Sequence, residues 1–119
     1  MRKIGLFIGA LVSLSAGATN ASQQDARREY DIARRCYVAN GEVYSAFKRN
    51  GDVANAQLFE NKSKNVFGLV YFYGDILHLD REQIAADLKA AANAELPKLM
   101  QDSGYLTSTA KDCKSRGMM

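Results

Sequence analysis

The sequence predicts an all-α fold, a small antiparallel bundle of four helices, or five if Pro97 splits the third. Three observations carry that expectation. Apolar residues recur alternately three and four positions apart over most of the chain, which is the helical period. A single proline among 119 residues fits helices better than a many-turned sandwich. The periodic stretches are separated by short breaks, and short connections favour antiparallel neighbours.

The first helix is expected over 23–49. Tyr30, Ala33, Tyr37, Asn40, Tyr44 and Phe47 form its seam, with Ile32, Cys36, Ala39, Val43 and Ala46 beside it. At the helical angle per residue this apolar arc spans about 200°, wider than the stripe of an ordinary surface helix. The helix should therefore touch more than one neighbour. Gly41 costs about 1 kcal/mol against alanine in a helix interior and marks a bend or a close approach. Asn50-Gly51-Asp52 is a turn, with Asp52 placed to cap the second helix.

The second helix runs to about Tyr73 on a seam of Ala56, Phe59, Ser63, Val66, Val70 and Tyr73. Residues 66–73 are rich in strand-formers, but the helical period continues through them. Gly74 should close this helix. Asp80 and Gln83 have the spacing of a capping box for the third. That helix has a narrow face of Ile84, Leu88, Ala91 and Ala92. Pro97 removes a backbone donor, so the helix stops near Ala94 or kinks. Ser103-Gly104 reads as a break, 106–116 as a last helix, and 117–119 as a frayed end.

Arg2 and Lys3, an apolar run over 4–14 and small residues to Ala21 have the layout of a secretory signal peptide. Cleavage after Ala18 or Ala21 fits, and the polar chain that starts directly after Ala21 favours the latter. The expected organisation is a leader over 1–21 and one helical domain over 22–119, periplasmic or secreted. The apolar run is shorter than the roughly 20 residues of a membrane span. The whole chain has 16 basic and 13 acidic residues, a net charge of +3. Without Arg2 and Lys3 the balance is 14 against 13, or +1. That leaves no basic surplus for a nucleic-acid binder.

Cys36 and Cys113 are the two cysteines. In an exported chain a bridge between them is the default. It would tie the first helix to the last and contribute about 4 kcal/mol by loop-closure entropy. Neither a CxxC nor a CxxCH motif is present, so thiol-redox chemistry and covalent haem attachment lack their signatures. His78 is the single histidine, flanked by Asp75 and Asp80, and is read as an exposed loop residue rather than a general base. No metal or cofactor is expected, and catalysis is the least favoured class.

Candidate binding residues lie on the first helix. Arg27 and Arg34 share one side, seven positions apart, with Asp31 within a turn. They form either an anion- or partner-binding strip or a solvated face with internal ion pairs. Tyr30, Tyr37 and Tyr44 lie along the edge of the apolar arc, with hydroxyls reaching water or a partner. Asn40 interrupts the seam, either as a buried group with a partner or as a groove-facing contact.

Residues 44–59 carry an aromatic, a Gly-Asp turn, alanine and a second aromatic. They resemble one helical hairpin of the tetratricopeptide repeats, without a second copy. Cys36-Tyr37, Glu95-Leu96-Pro97 and Ala110-Lys111-Asp112-Cys113 together are similar to the pattern of small secreted bacterial helical proteins with one disulfide. That resemblance implies helices and a bridge, not an activity. In size, export and single bridge the chain is also similar to periplasmic acid-stress chaperones. The function expected is binding, as a protein-interaction module of inhibitor, immunity or envelope-stress type, whose partner is another envelope protein. The alternative is a small-molecule carrier with its ligand between the aromatic second helix and the tyrosine seam.

Overall fold

The computed structural model describes residues 22–119 in full and gives only helical backbone for 2–21. The leader expected over 1–21 and its cleavage point therefore lie outside the described residues. Four helices follow in order: α1 (Arg2–Arg49), α2 (Val53–Ile76), α3 (Arg81–Gln101) and α4 (Ser103–Ser115). No strand occurs among the described residues, and 66–73 is helical, as its period requires.

The helix starts share one chemistry. Asp52, Asp80 and Asp102 each accept a hydrogen bond from the backbone N–H three residues on, at 3.2, 2.8 and 3.0 Å. Each satisfies a donor that the first turn leaves free. Three helix ends also share one device, a residue in the left-handed region flanked by two reversed backbone bonds. After α1 that residue is Gly51, and the Asp52 N–H donates to the Phe47 carbonyl at 2.9 Å. After α4 it is Gly117, and the Met118 N–H donates to the Cys113 carbonyl at 2.8 Å. After α2 it is His78, the one non-glycine residue there, at φ 59°. The Leu79 N–H donates to the Gly74 carbonyl at 2.9 Å to complete that end.

The helices form an antiparallel up-down-up-down bundle with α1 as its spine. α2 packs along one side of α1, α3 along a second and α4 along a third. This is how α1 buries its wide apolar arc. One core cluster gathers Tyr30, Cys36, Val66, Val70, Ile84 and Met118. A second joins Val38 and Ala39 of α1 to Leu99 of α3. The Cys36–Cys113 bridge joins α1 to α4 inside the first cluster, with both residues fully buried. α2 and α3 scarcely touch one another. Where they do, Gly74 lies under Ile84: a Cβ on Gly74 would sit 2.6 Å from Ile84 Cδ1.

Several expectations change. Gly74 does not end α2, which runs on to Ile76; its lack of a side chain admits Ile84 instead. Gly41 is the reverse case, because a Cβ there meets nothing within 4 Å and no close approach requires glycine. Of the two outcomes left open at Pro97, a stop near Ala94 does not occur: α3 runs on to Gln101, and the helices number four, as expected unless the proline split the third. Leu99, just beyond the proline, is buried against α1, and that burial offsets the lost backbone bond. The break at Ser103-Gly104 lies at Asp102, which ends α3 and caps α4, so α4 begins at Ser103. Gln83 completes only half a capping box, since its side chain turns to Asp87 at 2.8 Å. The tail is not frayed: Met118 is buried, and its carbonyl accepts a bond from Asn40 Nδ2 at 2.8 Å.

Candidate functional site

The open side of the bundle lies above α1, between α2 and α3. Two adjoining cavities of 530 and 270 Å³ share Tyr37, Gly41, Ser45 and Ser63 and form one groove. The larger extends to Tyr44, Glu60, Lys64 and Phe67. The smaller extends to Val38, Glu42, Ala92 and Leu96. The groove exists because small residues occupy facing positions. Gly41 and Ser45 lie one turn apart on α1, Ser63 replaces an apolar residue in the seam of α2, and Ala92 faces them from α3.

One wall is aromatic. The Tyr37 and Phe67 rings stand 5.5 Å apart, and Phe67 and Tyr71 4.9 Å. Phe67 remains 39% exposed beside the opening, so its ring is available to a further contact. The acids of the groove are already partnered. Glu60 pairs with Lys64 at 3.3 Å, and the buried Glu42 side chain with Arg49 at 3.1 Å. Lys48 lies over Tyr44 and Arg81 over Tyr71, at 5.6 and 6.0 Å from the ring centroids.

The candidate residues from the sequence separate into three places. Tyr37 and Tyr44 line the groove. Asn40 does not: it is fully buried and donates both to the Cys36 carbonyl within α1 and to the Met118 carbonyl of the tail. Arg27, Arg34 and Tyr30 form a separate cluster against α3. Tyr30 is fully buried rather than at the edge of the arc, and its hydroxyl donates to Asp87 Oδ2 at 2.7 Å. Arg34 lies over the Tyr30 ring at 4.9 Å, donates to the Asp87 carbonyl at 3.0 Å and pairs with Asp31. Arg27 is exposed and lies 5.6 Å from the same ring. Burial, then the bond to Asp87 and the charge of that carboxylate, hold the Tyr30 phenol well above its usual range.

A second tyrosine uses α3 in the same way. Tyr105 of α4 donates to Glu95, and that bond, then burial, raises its phenol too. Asp87 and Glu95 thus hold α3 to α1 and to α4. The only histidine, His78, is exposed at the end of α2. Among the described residues no group of three or more His, Cys, Asp or Glu side chains is placed to hold a metal ion. No helix among them is long and apolar enough to cross a membrane.

Sequence reasoning missed Phe67, Ser63, Ala92 and Leu96 as groove residues, and Asp87 and Glu95 as anchors. One signal was present. Gly41 lies one turn from Tyr37 and Tyr44, and Ser63 one turn from Phe59 and Phe67, so both are small residues among aromatic ones at helical spacing, and both face the opening. No family model, curated protein or solved structure matches the chain.

Proposed function

We propose that the protein acts by binding, as an interaction module that takes a segment of another envelope protein into the groove above Gly41. One observation carries the reading. Glycine in a helix interior costs about 1 kcal/mol against alanine. At Gly41 no packing neighbour offsets that cost, and the position forms the floor of the groove. Glycine there keeps the groove deep enough for a partner. The reading takes the chain to be exported and its leader removed, which the bridged cysteines support.

The test compares pull-downs from envelope extract by the oxidised protein and two variants. Gly41→Leu fills the groove floor. Gly68→Leu makes the same change on the outer side of α2, where a Cβ also meets nothing. The expected result is one stoichiometric protein held by the parent and by Gly68→Leu and lost by Gly41→Leu. Equal retention by both variants rejects the groove. A second reading, a small-molecule carrier, draws on the 530 Å³ cavity between Tyr37, Tyr44 and Phe67. It predicts a bound small molecule in native mass spectra of the parent, absent from Gly41→Leu.

A further inference from the structure

We propose that the segment received by the groove is an amphipathic helix carrying acidic residues near both of its ends. This rests on the interaction-module reading and names the chemistry of the partner. The shape argues for a helix. α1, α2 and α3 enclose three sides of the groove, and the fourth side is open. An extended segment would find no sheet edge to pair with, because the backbone around the groove is bonded within its own helices. A helix brings its own backbone bonds and offers one apolar face, which is what a helix-lined groove accepts. Two helices approach to about 8–10 Å, closest where the contact residues are small. Gly41 and Ser45 on the floor permit such an approach.

The charges argue for acidic ends. Within the groove Glu60 and Glu42 are neutralised by Lys64 and Arg49. Lys48 lies over Tyr44 at one end of the groove, and Arg81 lies over Tyr71, one turn of α2 beyond Phe67 at the other; neither is in an ion pair among the described residues. Tyr37 faces Phe67, and Tyr71 lies one turn of α2 farther out, so the span from Tyr71 to Lys48 along the bundle is about 22 Å, or about four turns. A helix lying along α1 would meet both cations with acids about four turns apart. Such pairs at the rim steer encounter and set orientation more than they add affinity.

The probe is a labelled amphipathic peptide of about 18 residues with leucine and phenylalanine on one face and glutamates at both ends. Its twin carries lysine for glutamate. Anisotropy titrations use the mature oxidised protein and its Lys48→Glu/Arg81→Glu variant. The glutamate peptide is expected to bind the parent about tenfold more tightly than the lysine twin at low salt, with the order reversed in the variant. Equal binding of the two peptides, or an unchanged preference in the variant, overturns the proposal. So does binding of neither. In that case, loss of the captured protein in Gly41→Leu still tests the module reading separately. A dimer in sedimentation equilibrium that disappears in Gly41→Leu would put a second copy of this chain in the groove and also overturn the proposal.

Discussion

Replacing Gly74 by alanine sets two opposing effects against each other. In a helix interior the change gains about 1 kcal/mol from backbone entropy. Here the new Cβ would lie 2.6 Å from Ile84 Cδ1, 3.1 Å from Ile84 Cγ1 and 3.5 Å from Tyr30 Cε1. Cδ1 is the end of a side chain and can swing, but turning χ2 leaves Cγ1 where it is. Ile84 is also 1% exposed, so it has little room to give. Overpacking of this kind costs about 1–3 kcal/mol. The sum is a net loss of about 1 kcal/mol, or a fall of about 4–8 °C in Tm for a domain of this size. Gly41→Ala, with no neighbour to meet, should gain about 1 kcal/mol and raise Tm by a similar amount. Thermal and urea unfolding followed by circular dichroism measures both. Ile84→Val should cost less in the Gly74→Ala background than in the parent, because it removes the nearer clash. Equal stabilisation by the two alanines, or strict additivity with Ile84→Val, would refute the close-approach argument.

Three other outcomes are expected. His78→Gly should stabilise by about 1 kcal/mol, since the left-handed position ending α2 costs a side chain that much and glycine nothing; urea midpoints give the value. Removing the bridge as Cys36→Ala/Cys113→Ala should cost about 4 kcal/mol, read from urea unfolding beside the parent. Alkaline pH should weaken the fold. The folded Tyr30 phenol is raised, so its contribution is complete below the unfolded value of 10.0 and declines as pH rises above it. The decline is about 1.4 kcal/mol per pH unit for each such group. Tyr30→Phe should flatten that slope by one group, leaving the part due to Tyr105, and an unchanged slope would count against a buried Tyr30 phenol bonded to Asp87.

What the sequence disclosed follows the physics of each signal. The seams of α1 and α2 were legible because burial along a helix leaves a regular period, and that period correctly outweighed the strand-forming residues at 66–73. The bridge was legible from cysteine number and the expected export. Asp52 and Asp80 were legible because capping is local. His78 took the helix-ending role expected of Gly74 because a glycine near a helix end serves equally as a cap or as a gap for a neighbour, and only Ile84 decides which. Pro97 left a stop open because continuation depends on the burial of Leu99 against Val38 and Ala39, some sixty positions away. Tyr30 was placed at an edge because nothing near it in sequence points to Asp87. The groove was half legible. Tyr37 and Tyr44 were named, but Phe67, Ser63 and Ala92 join them only once α2 and α3 stand apart.

A partner seated in the groove above Gly41 is within reach of site-directed photocrosslinking. A benzophenone side chain would be placed in turn at Ser63, which lines the groove, and at Lys111, exposed on α4. Each oxidised protein would be illuminated in envelope extract. One discrete protein adduct is expected from position 63 and none from 111, with the first abolished by Gly41→Leu. An adduct from position 111 alone, or one from 63 that survives Gly41→Leu, would contradict a partner seated in the groove.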